Sequence, residues 1–79
     1  MHDFYLAQQI VKIAQDHAQN RGLVRIEKIV VELGDIVEHG AAIMPENLEY
    51  NIKLLMPVEK VEIKKIAGDK WKLVSIEGK

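Results

Sequence analysis

Between Phe4 and Leu33 the apolar residues of this chain change their period, and that change constrains most of what the chain can fold into. Leu6, Ala7, Ile10, Val11, Ile13, Ala14 and Ala18 recur at intervals that fill one broad helical face, while Gln8, Lys12, Gln15, Asp16 and Gln19 fall on the other. Ile29, Val31 and Leu33 then alternate with Val30 and Glu32, the pattern of a strand with one strongly apolar face. Asp3 is placed as the N-cap of the helix, because its carboxylate can accept from an unpaired amide of the first turn. Asn20-Arg21-Gly22 supplies the stop, since Gly22 can take the left-handed conformation that closes a helix. Glu27-Lys28 interrupts the alternation begun by Val24 and Ile26, which predicts a bend or bulge within one strand.

The stretch from Asp35 to Met44, with Glu38-His39-Gly40 inside it, reads as a loop. Pro45-Glu46 opens a second helix, because proline loses nothing at the first helical position and an acidic residue is favourable there. Leu48, Ile52, Leu55 and Met56 form its apolar stripe, and Pro57 ends it. Val61 and Ile63 on one arm, and Trp71, Leu73 and Ser75 on the other, predict a hairpin closed by Ala67-Gly68-Asp69-Lys70. Val74 and Ile76 disturb the second arm, through contact on both faces or through an irregularity that shifts the phase. The order helix, strand, helix, strand, strand gives an α+β fold, with both helices packed on one face of a mixed or antiparallel three-stranded sheet. Residues 1–79 form one domain, with no internal repeat or linker to divide it.

Composition removes whole classes of function. There is no cysteine among the 79 residues, so disulfides, thiolate nucleophiles and cysteine-built zinc or iron–sulfur sites are excluded. With 11 Lys+Arg against 12 Asp+Glu and 5% aromatic residues, the chain lacks the charge and stacking surface that a nucleic-acid partner requires. No long apolar run follows a basic start, so a membrane span or signal peptide is not expected and cytoplasmic residence is the default. No phosphate loop or acid–base pair beside Ser75 suggests catalysis, and the chain is not expected to be an enzyme.

Three groups of side chains could hold a metal. At Met1-His2-Asp3 the α-amine, the intervening amide nitrogen and the His2 imidazole can close small chelate rings around one ion, a donor set suited to Ni²⁺ or Cu²⁺. His17 lies on the flank of the helical apolar face, where a packed, hydrogen-bonded histidine is the first reading and a metal ligand the second. Glu38 and His39 are read first as a solvated loop and second as additional ligands.

Met1-His2-Asp3, Leu6-Ala7-Gln8-Gln9-Ile10, Asn20-Arg21-Gly22, Arg25-Ile26, Ile29-Val30-Val31-Glu32-Leu33-Gly34-Asp35 and Pro45-Glu46-Asn47-Leu48-Glu49-Tyr50 follow one another along the chain. This ordered set, continued by Val61-Glu62-Ile63 and Leu73-Val74-Ser75-Ile76-Glu77, resembles the hydrogenase nickel-incorporation protein family HypA. The resemblance implies a nickel metallochaperone that serves hydrogenase or related metalloenzyme maturation, with Ni²⁺ held by His2 and the neighbouring amino-terminal nitrogens. It also implies a maturation GTPase or a target metalloenzyme as partner. Family members usually carry a glutamate at the third position and a cysteine-rich zinc lobe between the last two strands. This chain has Asp3, and it passes from Ile66 to Lys70 through three residues. No zinc is therefore expected, and the alternative reading is a HypA-like protein-interaction module without metal delivery. Exposed strand edges leave self-association open.

Overall fold

A computed structural model describes residues 2–38 and 41–79 of the chain, with the side chains of residues 2, 3, 38 and 41 outside the description. Helix α1 spans His2–Asn20, and its stripe of Leu6, Ala7, Ile10, Val11, Ala14 and Ala18 is buried. It begins at His2, so Asp3 lies within the first turn and not at the cap expected for it. The C-terminal stop follows the sequence: Gly22 has φ 72°, and the Leu23 N–H donates to the Ala18 carbonyl at 2.8 Å. Helix α2 spans Pro45–Leu55 with proline in its first turn, and the Met56 N–H still reaches the Ile52 carbonyl at 3.1 Å. Pro57 has no N–H with which to continue the helix.

Strand β1 covers Ile26–Leu33, β4 Lys60–Lys65 and β5 Trp71–Gly78. Between β1 and α2, where the sequence reads as a loop, β2 (Val37–Glu38) and β3 (Ala41–Ala42) pair antiparallel as a small separate ribbon. Two-residue strands leave too few alternations to be read from a sequence.

The main sheet is mixed, in the order β4-β1-β5, with β4 parallel and β5 antiparallel to β1. The α+β class with two helices on a three-stranded sheet is therefore observed, but the hairpin expected between the last two strands is not. β1 lies between them, and the connection that reads as a hairpin turn passes over its C-terminal end. The physical reason lies in β1 itself. Ile29, Val30 and Val31 are all buried, the first and third in the core beneath the helices and the second under the charged side chains of the other face. A strand buried on both faces belongs at the centre of a sheet.

The expected irregularity at Glu27-Lys28 is present as a register shift between Ile26–Gly78 and Lys28–Glu77. A second shift, between Val30–Ser75 and Val31–Leu73, leaves Val74 without a partner on β1. This is the phase change in the second arm. It returns Leu73 and Ile76 to the core side and leaves Ser75 exposed.

α1 packs against α2 and β5, and α2 packs against β4, so the helices share one face of the sheet. A single apolar cluster joins Leu6, Ile10, Ile29, Leu33, Leu48 and Ile52, each fully buried or nearly so. Every such side chain contributes on the order of 1.5–3 kcal/mol relative to exposure. Trp71 packs against this cluster from a half-buried position. Among the described residues no polar or charged side chain is buried.

Candidate functional site

The opposite face of the sheet is charged and balanced. Lys28 sits 4.0 Å from Glu62 and 3.7 Å from Glu77, and Lys64 lies 3.5 Å from Glu62. In the next row Glu32 stands between Lys64 and Lys72. Alternating signs give no patch of one charge that would draw in a polyanion. Pairs this exposed contribute little individually to stability.

The end of the molecule where α1 stops and β1 starts is different. A groove of about 600 Å³ lies there, bordered by Ala18, Leu23, Val24, Ile26, Met56 and Pro57. Gln15, Gln19 and Arg25 supply its polar rim. An adjoining hollow of about 300 Å³ shares Arg25, Ile26 and Pro57 and extends along Val58 and Glu59. Local sequence explains the opening. Gly22 turns the chain sharply out of α1, and Pro57 ends the continuation of α2, so two helix ends flank the beginning of β1 without a strand between them. Val24 is 94% exposed at this lip, while Ile26, two residues on, is 6% exposed. Arg25 reaches across to Glu59, with 2.6 Å between its guanidinium nitrogen and the carboxylate oxygen.

The metal candidates fare differently. Met1 and His39 lie outside the described residues, as do the side chains of His2, Asp3 and Glu38. His17 is on α1, exposed and not packed, beside a small hollow formed with Arg21 and the Leu73–Ile76 stretch of β5. It stands fifteen positions after His2 on the same helix, about 22 Å along the axis, so the two cannot share an ion. Among the described residues no group of three or more His, Asp or Glu side chains is arranged to hold a metal. No protein-family model matches the chain, and no curated protein matches it.

The absence of such a group among the described residues overturns the HypA reading, together with the nickel metallochaperone function and the Ni²⁺ cofactor that it implied, while the ligand assignments to Met1, His2, Asp3, Glu38 and His39 fall outside the described side chains. The residues behind the resemblance are, in large part, those that any helix–strand–helix order of this length needs: an apolar helix stripe, a glycine stop, an alternating strand and a proline-led second helix. The maturation GTPase and target metalloenzyme rested on the same resemblance, and no feature of the fold bears on them. Among the described residues no helix is long and apolar enough to cross a membrane.

The groove was not among the sequence candidates. Its residues are drawn from the end of α1, the start of β1 and the end of α2, and no spacing rule connects them. Val24 follows Leu23 and stands two residues before Ile26, so nothing local in the sequence marks it as exposed.

Proposed function

We propose that this domain is a protein-interaction module that works by binding polypeptide and not by catalysis, with cytoplasmic residence part of the same proposal. The observation that carries the reading is the groove at the α1–β1 junction. It is a concave, mostly apolar surface with a few polar groups at its rim, as binding sites generally are. An almost fully exposed valine at the lip adds apolar area that a partner could cover. The rest of the surface offers weaker grounds. The sheet face is a balanced lattice of ion pairs, and the apolar residues Tyr50 and Leu54 on α2 stand on a convex helix surface.

Selection of random heptapeptides against the immobilised chain tests this reading, with the enriched peptides then synthesised with capped ends. Their binding should move the amide resonances of Ala18, Leu23–Ile26 and Met56, and leave those of Lys28 and Glu62 in place. Val24→Glu should weaken binding about tenfold or more while the resonance dispersion stays that of the folded chain. Failure to enrich any binder, or binders that map to the charged sheet face, would refute the proposal.

A further inference from the structure

The groove exists because β1 extends further along β5 than along β4. On the β5 side, pairing runs to Ile26–Gly78 and is prolonged by Arg25 and Lys79, which exchange two backbone hydrogen bonds of 3.0 Å. On the β4 side it begins only at Lys28–Lys60. In an antiparallel ladder the residue after a mutually bonded pair turns its N–H and C=O away from that partner. Ile26 is that residue. Its backbone groups face the lane that β4 would fill if it continued, and Ile26 borders both the groove and the adjoining hollow. Outside the sheet ladders, none of the backbone hydrogen bonds among the described residues involves Ile26.

We infer that this notch receives an extended segment of a partner protein, which adds to β1 as a short strand in line with β4. The inference rests on the interaction reading above and specifies its mode. A buried residue with backbone groups turned into an empty lane calls for a partner that brings both a donor and an acceptor at strand spacing. An extended chain also projects alternate side chains to opposite faces. One would go down onto Ala18, Leu23 and Met56, and its neighbours would go up toward the Arg25–Glu59 side. The occupant is therefore a segment with an aliphatic residue at its centre and polar residues on either side.

A second copy of this chain is a poorer fit. The free edges of its main sheet belong to β4, which carries Lys60, Lys64 and Lys65, and to β5, which carries Lys72 and is interrupted at Val74. Lysines and bulges are the usual guards against edge-to-edge pairing. No lysine lines the notch, and its apolar floor sets it apart from both edges.

The test uses the tightest heptapeptide from the selection, remade as a series in which each amide in turn carries an N-methyl group. N-methylation removes one backbone donor and leaves the side chains as they were. Strand addition predicts an alternating pattern, with affinity lost about tenfold or more at the donor facing Ile26 and little changed at its neighbours. It also predicts that the Ile26 amide proton exchanges more slowly once the peptide is bound. A peptide that shifts the groove resonances but shows neither alternation nor protection of Ile26 would overturn strand addition and leave the interaction reading standing. A peptide that shifts no groove resonance would remove both. Concentration-dependent dimerisation of the free chain, abolished by Val24→Glu, would make the occupant a second copy and overturn the inference.

Discussion

At its Leu33 end β1 is tied on both sides, whereas at its Ile26 end it is tied on one. At the first end the Ile66 N–H donates to the Leu33 carbonyl at 3.0 Å, and the Gly34 N–H to the Lys70 carbonyl at 2.8 Å. The Asp35 N–H donates to the Gly68 carbonyl at 2.6 Å, and the Lys65 ammonium reaches both the Gly34 carbonyl and the Asp35 carboxylate. The β4–β5 connection thus lies across the end of the strand and closes it. At the second end the chain arrives from α1 and departs from α2 without crossing, and the notch remains. The same strand is a structural anchor at one end and a candidate binding surface at the other because only one end has a connection passing over it.

The largest effect should come from closing the crossing point to the chain. An ideal Cβ built on Gly34 would stand 2.6 Å from the Gly68 carbonyl oxygen and 2.7 Å from that of Lys70. Both obstacles are backbone, so neither can rotate aside. Gly34→Val should cost about 3 kcal/mol or more, at the upper end of overpacking penalties, or prevent folding. Urea denaturation measures it, and a loss below about 1 kcal/mol would mean that the closed end is soft and the contrast between the ends mistaken.

Truncations at the two ends come next. Leu33 is fully buried under the closed end, and Leu33→Ala should cost about 3–5 kcal/mol. Met56 floors the groove, where one side of the residue already borders open space, and Met56→Ala should cost nearer 2 kcal/mol. Equal losses in the same denaturation series would show that the groove floor is packed as tightly as the core.

The elements of this contrast were unequally legible in the sequence. Both helices, the glycine stop and the proline start are local signals, and each falls where its residues put it. The break at Glu27-Lys28 announced the bulge for the same reason. Strand order was misread because a short Gly-Asp connection speaks for a hairpin, while the opposing signal, apolar Val30 between Ile29 and Val31, is a single residue. That residue marked β1 as a strand covered on both faces, hence central. The groove depends on where two helix ends meet in space, which no local pattern carries. His2 drew the functional reading to the other end of α1 because position in a sequence is visible where concavity is not.

Removing the Lys65 ammonium should have a smaller effect. Lys65→Met gives up the 2.9 Å contact to Asp35 and the 3.3 Å bond to the Gly34 carbonyl, but the pair is exposed. A loss of about 0.5–1 kcal/mol is expected, shrinking as salt is added. A loss that does not depend on salt would assign the side chain's role to packing of its aliphatic stem over the closed end.

The smallest change in stability should accompany a gain in binding. Arg25 and Glu59 bridge the outer side of the notch, and an incoming strand would have to pass beneath or displace them. Both are more than half exposed, so Glu59→Gln should alter stability by no more than about 0.5 kcal/mol. If the bridge acts as a latch, its removal should tighten binding of the selected heptapeptide by up to about twofold, the equivalent of about 0.5 kcal/mol. Raising the salt concentration should tighten the wild type toward the variant and leave the variant itself nearly unchanged, because only the wild type has a pair to screen. Titration calorimetry at two salt concentrations separates the cases. Weaker binding by Glu59→Gln at both concentrations would mean that Glu59 contacts the peptide, and the open end of β1 would then hold its partner by charge as well as by its strand edge.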